Sequence, residues 1–243
     1  MNNLRYTFAV TALGLMLWQG LIWTTGAPHF ILPSPWRVAQ AGWDNWALIG
    51  KNATITASEV ALGLILGSCL GAITAIQLAS SARLHRLVMP LLIFTQAVPV
   101  FALAPILTLW FGYGIASKVM MAVLIIYFPV TSAFYDGLTR VPGDIIDMAK
   151  TMGGTKAQIM HRIRIPYALP SLGTGLKLAA VYAPIGAVIG EWVGASKGLG
   201  YLMLLANGRA KIDLMFASLI ALALMTIVLH VAVGKVSAIL EKD

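Results

Sequence analysis

Six apolar stretches divide the chain: Tyr6–Trp23, Ala53–Ala79, Leu87–Phe111, Val119–Phe134, Tyr167–Gly190 and Leu214–Val233. A helix needs about 20 mostly apolar residues to cross the hydrocarbon of a bilayer, and backbone in lipid must satisfy its own hydrogen bonds. The spacing therefore predicts an all-α, polytopic membrane protein with six transmembrane helices. Only 11% of the 243 residues are charged, against about 25% in a soluble domain. The polar stretches between spans are too short for a separate domain of roughly 100 residues, so 1–243 reads as a single transmembrane domain. The first stretch follows Arg5, as a signal peptide would. Its 18-residue core with Trp18 and Trp23 exceeds the usual apolar region of roughly 7–15 residues and reads as a span.

The net charge of +8 follows from topology. Six spans put both termini on one side. If that side is the cytoplasm, 11 of the 17 Lys and Arg lie inside, from Arg5, Arg83, Arg86 and Arg140 to Lys235 and Lys242. The positive-inside rule selects this orientation. No basic stripe with interleaved aromatics calls for nucleic acid, and Cys69, standing alone, excludes a disulfide framework.

Within the spans, small residues recur every fourth position at Gly63, Gly67, Gly71, Ala75 and Ala79. That period keeps them on one helix face, where another backbone can approach closely, in the same chain or a second copy. The third span holds Pro90, Pro99 and Pro105, with Gln96 among them. Kinks of this kind suit either a pathway lining or simple packing. Charges in spans are costly and point to function. Glu59 sits early in the second span, and Glu191, beside Trp192, closes the fifth as an interfacial anchor or an outer gate. Lys177 can snorkel to the headgroups. Trp36, Trp43 and Trp46 read as an interfacial belt. No catalytic constellation and no metal-ligand spacing is discernible, and the four histidines are scattered.

Between the fourth and fifth spans the chain turns polar, over about 137–166: VPGDIIDMAKTMGGTKAQIMHRIRIPYALP. Asp144 can cap a short helix, with Asp147 favouring its positive end, and Ile145, Met148, Ala149 and Met152 form its apolar stripe. Gly153-Gly154 breaks that helix. Thr155-x-x-Gln158 reads as a capping box opening a second one, with Ile159 and Ile163 as its stripe and Pro166 as its stop. Two such short helices need a partner surface. Lipid headgroups and another protein both fit.

The register Asp147-x-Ala149, Gly153, Ile163, Pro166 resembles the EAA loop of permease subunits of binding-protein-dependent ABC importers. Three residues separate Ala149 from Gly153 and nine separate Gly153 from Ile163, as in that loop. Asp147 replaces the usual Glu, Met148 the first Ala and Ile165 the Leu before Pro166. Leu32-Pro33-Ser34-Pro35, Ala104-Pro105 with Leu109-Trp110-Phe111-Gly112, and Gly190-Glu191-Trp192-Val193-Gly194-Ala195 with Gly198-Leu199-Gly200-Tyr201 are similar to the nitrate, sulfonate and taurine branch. Asp136-Gly137-Leu138 and Asp213-Leu214-Met215-Phe216 resemble members assigned to thiamine-precursor pyrimidines.

The resemblance implies a type I ABC importer permease of the bacterial inner membrane. It would pair with a second copy, bind two cytoplasmic ATPase subunits that hold ATP and Mg, and receive a small polar solute from an external binding protein. It would carry no catalytic residue or cofactor of its own, in keeping with the absence of a G-x-x-x-x-G-K-[ST] loop. ATPase coupling falls to Asp147, Ala149, Gly153, Gly154, Ile163 and Pro166. The translocation path falls to Gln96, Pro99, Glu191 and Trp192, and helix packing to Gly63, Gly67 and Gly71. The rival class is a secondary transporter or channel driven by an ion gradient, which often shows internal repeats and carboxylates at the midplane. No repeat relates the two halves here, and the in-span acids lie near span ends.

Overall fold

The computed structural model describes residues 2–240, with the side chains of residues 2–4, 7 and 8 left out. Lys242, counted above on the inner side, lies outside the described residues. All regular structure among them is helical: α1 (Asn2–Thr25), α2 (Pro35–Asp44), α3 (Trp46–Ser80), α4 (Ala82–Ala97), α5 (Val100–Phe111), α6 (Ile115–Thr139), α7 (Gly143–Thr151), α8 (Lys156–Ile159), a π-helical turn (Met160–Arg164), α9 (Ile165–Gly194), α10 (Leu199–Gly208) and α11 (Ile212–Leu240).

The expected six continuous spans resolve differently. Among the described residues, four runs are long and apolar enough to cross a bilayer: α3, α6, Lys156–Gly194 and α11. The third expected span is instead a bent pair, α4 and α5, meeting at 99°. Pro99 has no N–H to continue the helix and pushes the preceding residue out of the helical region, and Val98 is accordingly extended at φ −86°, ψ 118°. The first expected span, Tyr6–Trp23, lies within α1, whose Trp18 ring sits 5.9 Å from that of Phe216 on α11.

The core forms around α6, which lies between α3 and α9. Met121, Ala122, Ile126, Val130, Phe134 and Leu138 of α6 are almost wholly buried. The small-residue stripe of α3 packs on α6 of the same chain. A Cβ on Gly63 would lie 2.5 Å from Ala122 Cβ, one on Gly67 2.6 Å from Ile126, and one on Gly71 3.1 Å from the Tyr127 carbonyl. Backbone-to-backbone closeness maximises dispersion contacts, which drive helix association where lipid removes the hydrophobic difference.

At one end of the bundle, Ser34 caps α2 by accepting from the Arg37 N–H, and Pro35 occupies the first turn. Val38 is buried on Ile49, Leu199, Leu202, Leu214 and Ala217, while Trp36 and Trp43 stand exposed on the opposite side. Arg37 binds Asp213 at 3.0 Å, tying α2 to the first turn of α11.

Candidate functional site: the α7–α8 loop and a buried carboxylate cluster

The loop between α6 and α9 has its own small core of Val141, Ile146 and Ile159, with Ile145, Ala149 and Ile163 packed against it. The stripe expected on α7 is thereby rotated. Ile146 joins Ile145 and Ala149 in the interior, whereas Met148 and Met152 are 60% and 80% exposed. The reason is the return of the chain: α8 folds back over α7, so the face that meets Ile159 and Ile163 decides burial.

The break between α7 and α8 is a Schellman closure. Gly153 N–H donates to the Lys150 carbonyl and Gly154 N–H to the Ala149 carbonyl, each at 2.9 Å. Gly153 has φ +80°, and a Cβ on Gly154 would lie 2.7 Å from Ala149 O. Thr155 then opens α8 with the full capping box: its N–H donates to Gln158 Oε1 at 2.8 Å, and its Oγ1 accepts from the Gln158 N–H at 3.3 Å. Asp144 does not cap α7. Pro142 holds that position without a side-chain bond, and Asp144 lies in the first turn, where it favours the positive helix end.

Pro166 does not stop the second helix. The chain runs helically from Lys156 through Gly194, with Pro166 in the first turn of α9. The π-helical turn before it explains how: Ile165 N–H reaches back to the Met160 carbonyl. That wider turn relieves the crowding a proline ring imposes on the carbonyl four residues earlier.

Ala149, Gly153, Gly154 and Ile163 line one groove of about 380 Å³ with Met148 and Met152. Asp147 stands apart, 74% exposed in its side chain, and pairs with Lys150 at 2.8 Å. Arg164 donates to the Ala79 carbonyl at 3.4 Å, linking the loop to the end of α3. His85 stacks on Tyr135 at 4.7 Å, linking α4 to α6.

The four residues assigned to a path are not together. Gln96 and Pro99 are exposed at the α4–α5 bend. Trp192, half exposed, lines an apolar cavity of about 850 Å³ with Phe101 and Val188. Glu191 points the other way and is 1% exposed. Its own chain uses its oxygens. Thr56 Oγ1 donates to its Oε1 at 2.6 Å, and the Gly200 and Tyr201 N–H groups donate to its Oε2.

Three further residues complete this cluster. Asn52 Oδ1 accepts from the Gly198 N–H and Thr56 Oγ1 from the Leu199 N–H, both at 2.8 Å. Lys118, 1% exposed, donates to the Tyr113 and Gly194 carbonyls at 2.6 and 2.8 Å, and its charge acts on both Glu59 and Glu191. Glu59 lies against Glu191, with its Oε2 buried and lacking a hydrogen-bond partner among the described residues. Asn52, Thr56 and Glu59 recur at helical spacing on an apolar helix, a polar stripe legible in sequence. Lys118, at a span edge, offered no comparable signal.

A bundle of long apolar helices, with a structured loop between α6 and α9 and a buried polar clamp joining α3, α6, α9 and α10, is the architecture of a multi-pass membrane protein. Residues 67–243 match the model of the binding-protein-dependent transport system inner membrane component, and the chain belongs to that family of ABC importer permease subunits. It is 47% identical over 219 residues to a probable ABC transporter permease protein of Haemophilus influenzae, covering 90% of this chain and 89% of the relative. It is 37% identical to the formylaminopyrimidine transport permease protein of Halalkalibacterium halodurans, covering 93% of this chain and 90% of that one. It is 35% identical to the riboflavin transport system permease protein of Chloroflexus aurantiacus, covering 94% and 86%. The fold is also that of a chain in inward-facing structures of the MetNI methionine ABC transporter, with a TM-score of 0.62, 18% identity, and coverage of 85% and 97%.

Proposed function

We propose that the chain is the membrane half of an ATP-driven importer for a small polar organic solute, with a thiamine-precursor pyrimidine first and a sulfonate, taurine or nitrate behind it. Two copies form the pathway in a bacterial inner membrane, with both termini in the cytoplasm. Cytoplasmic ATPase subunits bind ATP and Mg, and an external binding protein delivers the solute.

The observation that carries this reading is the groove between α7 and α8. Its exposed Met148 and Met152 are soft, adaptable apolar side chains on an otherwise polar loop. The groove is backed by a small core and runs without a break into α9. An ATPase surface that covers the two methionines would press on a rigid helix. Ala149, Gly153 and Gly154 keep the seat shallow, Ile163 supports it from below, Pro166 sits where the loop becomes the span, and Asp147 contacts the ATPase at its rim. On this reading the α4–α5 bend carrying Gln96 and Pro99 faces the pathway between copies, with Trp192 nearer its outer end. The pyrimidine assignment draws on the Halalkalibacterium relative, named for formylaminopyrimidine.

The test is uptake of a labelled aminopyrimidine into vesicles holding the permease, its ATPase and its binding protein. The reading expects uptake only with ATP and all three components. Uptake that persists without the ATPase and collapses with the proton gradient would assign the chain to gradient-driven transport.

A further inference from the structure

We propose that Glu191 is a positioning residue that makes α10 move as one body with α9, so that a push received at the α7–α8 loop is delivered to the other end of the bundle. The inference rests on the reading of the chain as an ATP-driven importer.

The first four N–H groups of a helix have no partner within it. In α10 every one of them, from the N-cap Gly198 through Leu199, Gly200 and Tyr201, is taken by a side chain from another long helix. Asn52 and Thr56 of α3 accept from Gly198 and Leu199. Glu191 of α9 accepts from Gly200 and Tyr201 and, through Thr56, is tied to α3 as well. A negative carboxylate at this end also meets the positive pole of the helix. The chain reaches this arrangement through Gly198 at φ +110°, where a Cβ would fall on the Glu191 carboxylate. Leu199 and Leu202 are buried below it.

Two consequences follow. The short helix cannot slide or tilt away without stranding the four amides that these side chains satisfy. Second, Glu191 sits near the far end of α9, which at 1.5 Å per residue lies roughly 39 Å from the loop where α9 begins. A helix without a break over Lys156–Gly194 carries displacement along that length, and the Glu191 carboxylate passes it to α10. Other contacts hold α10 in place, but its N-terminal charge-assisted bonds to α9 run through this one side chain.

The test uses the permease assembled with its ATPase and binding protein in vesicles, comparing solute taken up per ATP hydrolysed. Glu191→Gln keeps the shape and removes the charge. Thr56→Val removes the hydroxyl that serves both Glu191 and Leu199, and Thr56→Ser restores it. Leu204→Ala, exposed on the same short helix, is the control. Amide exchange of residues 198–201 is followed alongside. The proposal expects Glu191→Gln and Thr56→Val to hydrolyse ATP while uptake per ATP falls about tenfold, the ratio set by one charge-assisted hydrogen bond. It expects faster exchange at 198–201, with Thr56→Ser and Leu204→Ala at the wild-type ratio. Faster exchange with an unchanged ratio overturns it, as does unchanged exchange. Hydrolysis and uptake that fall together overturn it too, since that marks general loss of fold. If the wild-type assembly transports without ATP, the importer reading fails and the stroke with it, while the exchange data still report whether the clamp exists.

Discussion

Gly63 and Ala122 leave no room between them: a Cβ on the glycine would lie 2.5 Å from that of the alanine. The α3–α6 contact is therefore set by backbone approach. Gly63→Ala is expected to destabilise the folded permease by about 1–3 kcal/mol, the usual cost of overpacking. Gly14→Ala on α1, where an added Cβ meets nothing within 4 Å, should have a much smaller effect. Denaturant titration in mild detergent, followed by tryptophan fluorescence, reads the difference.

Among the described residues, Lys118 is the one cation in the buried cluster with Glu59 and Glu191, and it also satisfies two carbonyls. Lys118→Met removes both services and is expected to cost about 2–4 kcal/mol. In the Glu59→Gln background the penalty should shrink, because one of the two carboxylates it faces is gone. A double-mutant cycle on unfolding free energy gives the coupling. Additive effects would mean that Lys118 acts only through its carbonyl bonds.

Much of this architecture is legible in the sequence where the information is local. The four-residue glycine period marks the face that meets α6, and Thr155-x-x-Gln158 marks a capping box because both of its bonds close within four residues. What escapes is long-range. Glu191 reads as a charge at a span end, yet its partner Thr56 is well over a hundred residues away, and its other donors, Gly200 and Tyr201, belong to a helix that turns back on it. Pro99 signals a break without its angle. Pro166 reads as a stop because the sequence does not show the π turn that accommodates it.

Gly154→Ala is expected to harm the α7–α8 loop more than Gly153→Ala. The first drives a Cβ into the Ala149 carbonyl, whereas the second meets open space and bears the strain of φ +80°, about 1–2 kcal/mol. Limited proteolysis of detergent-solubilised protein should show more cleavage in residues 140–164 for Gly154→Ala than for Gly153→Ala, with the rest of the bundle intact.

Thr155→Ala removes one bond of the capping box and should cost about 1 kcal/mol of local stability. Thr155→Ser should restore it. The same proteolysis assay measures both, and equal cleavage of all three proteins would show that Ile146 and Ile159 alone hold the loop together.

The central claim is that a separate ATP-hydrolysing subunit grips the α7–α8 loop. Met152, 80% exposed at the rim of the groove, is the place to ask. A photo-crosslinker placed there in otherwise native membranes should join the permease to the ATPase, with a yield that changes when ATP is added. Crosslinks that land only on phospholipid, with and without ATP, would contradict the account.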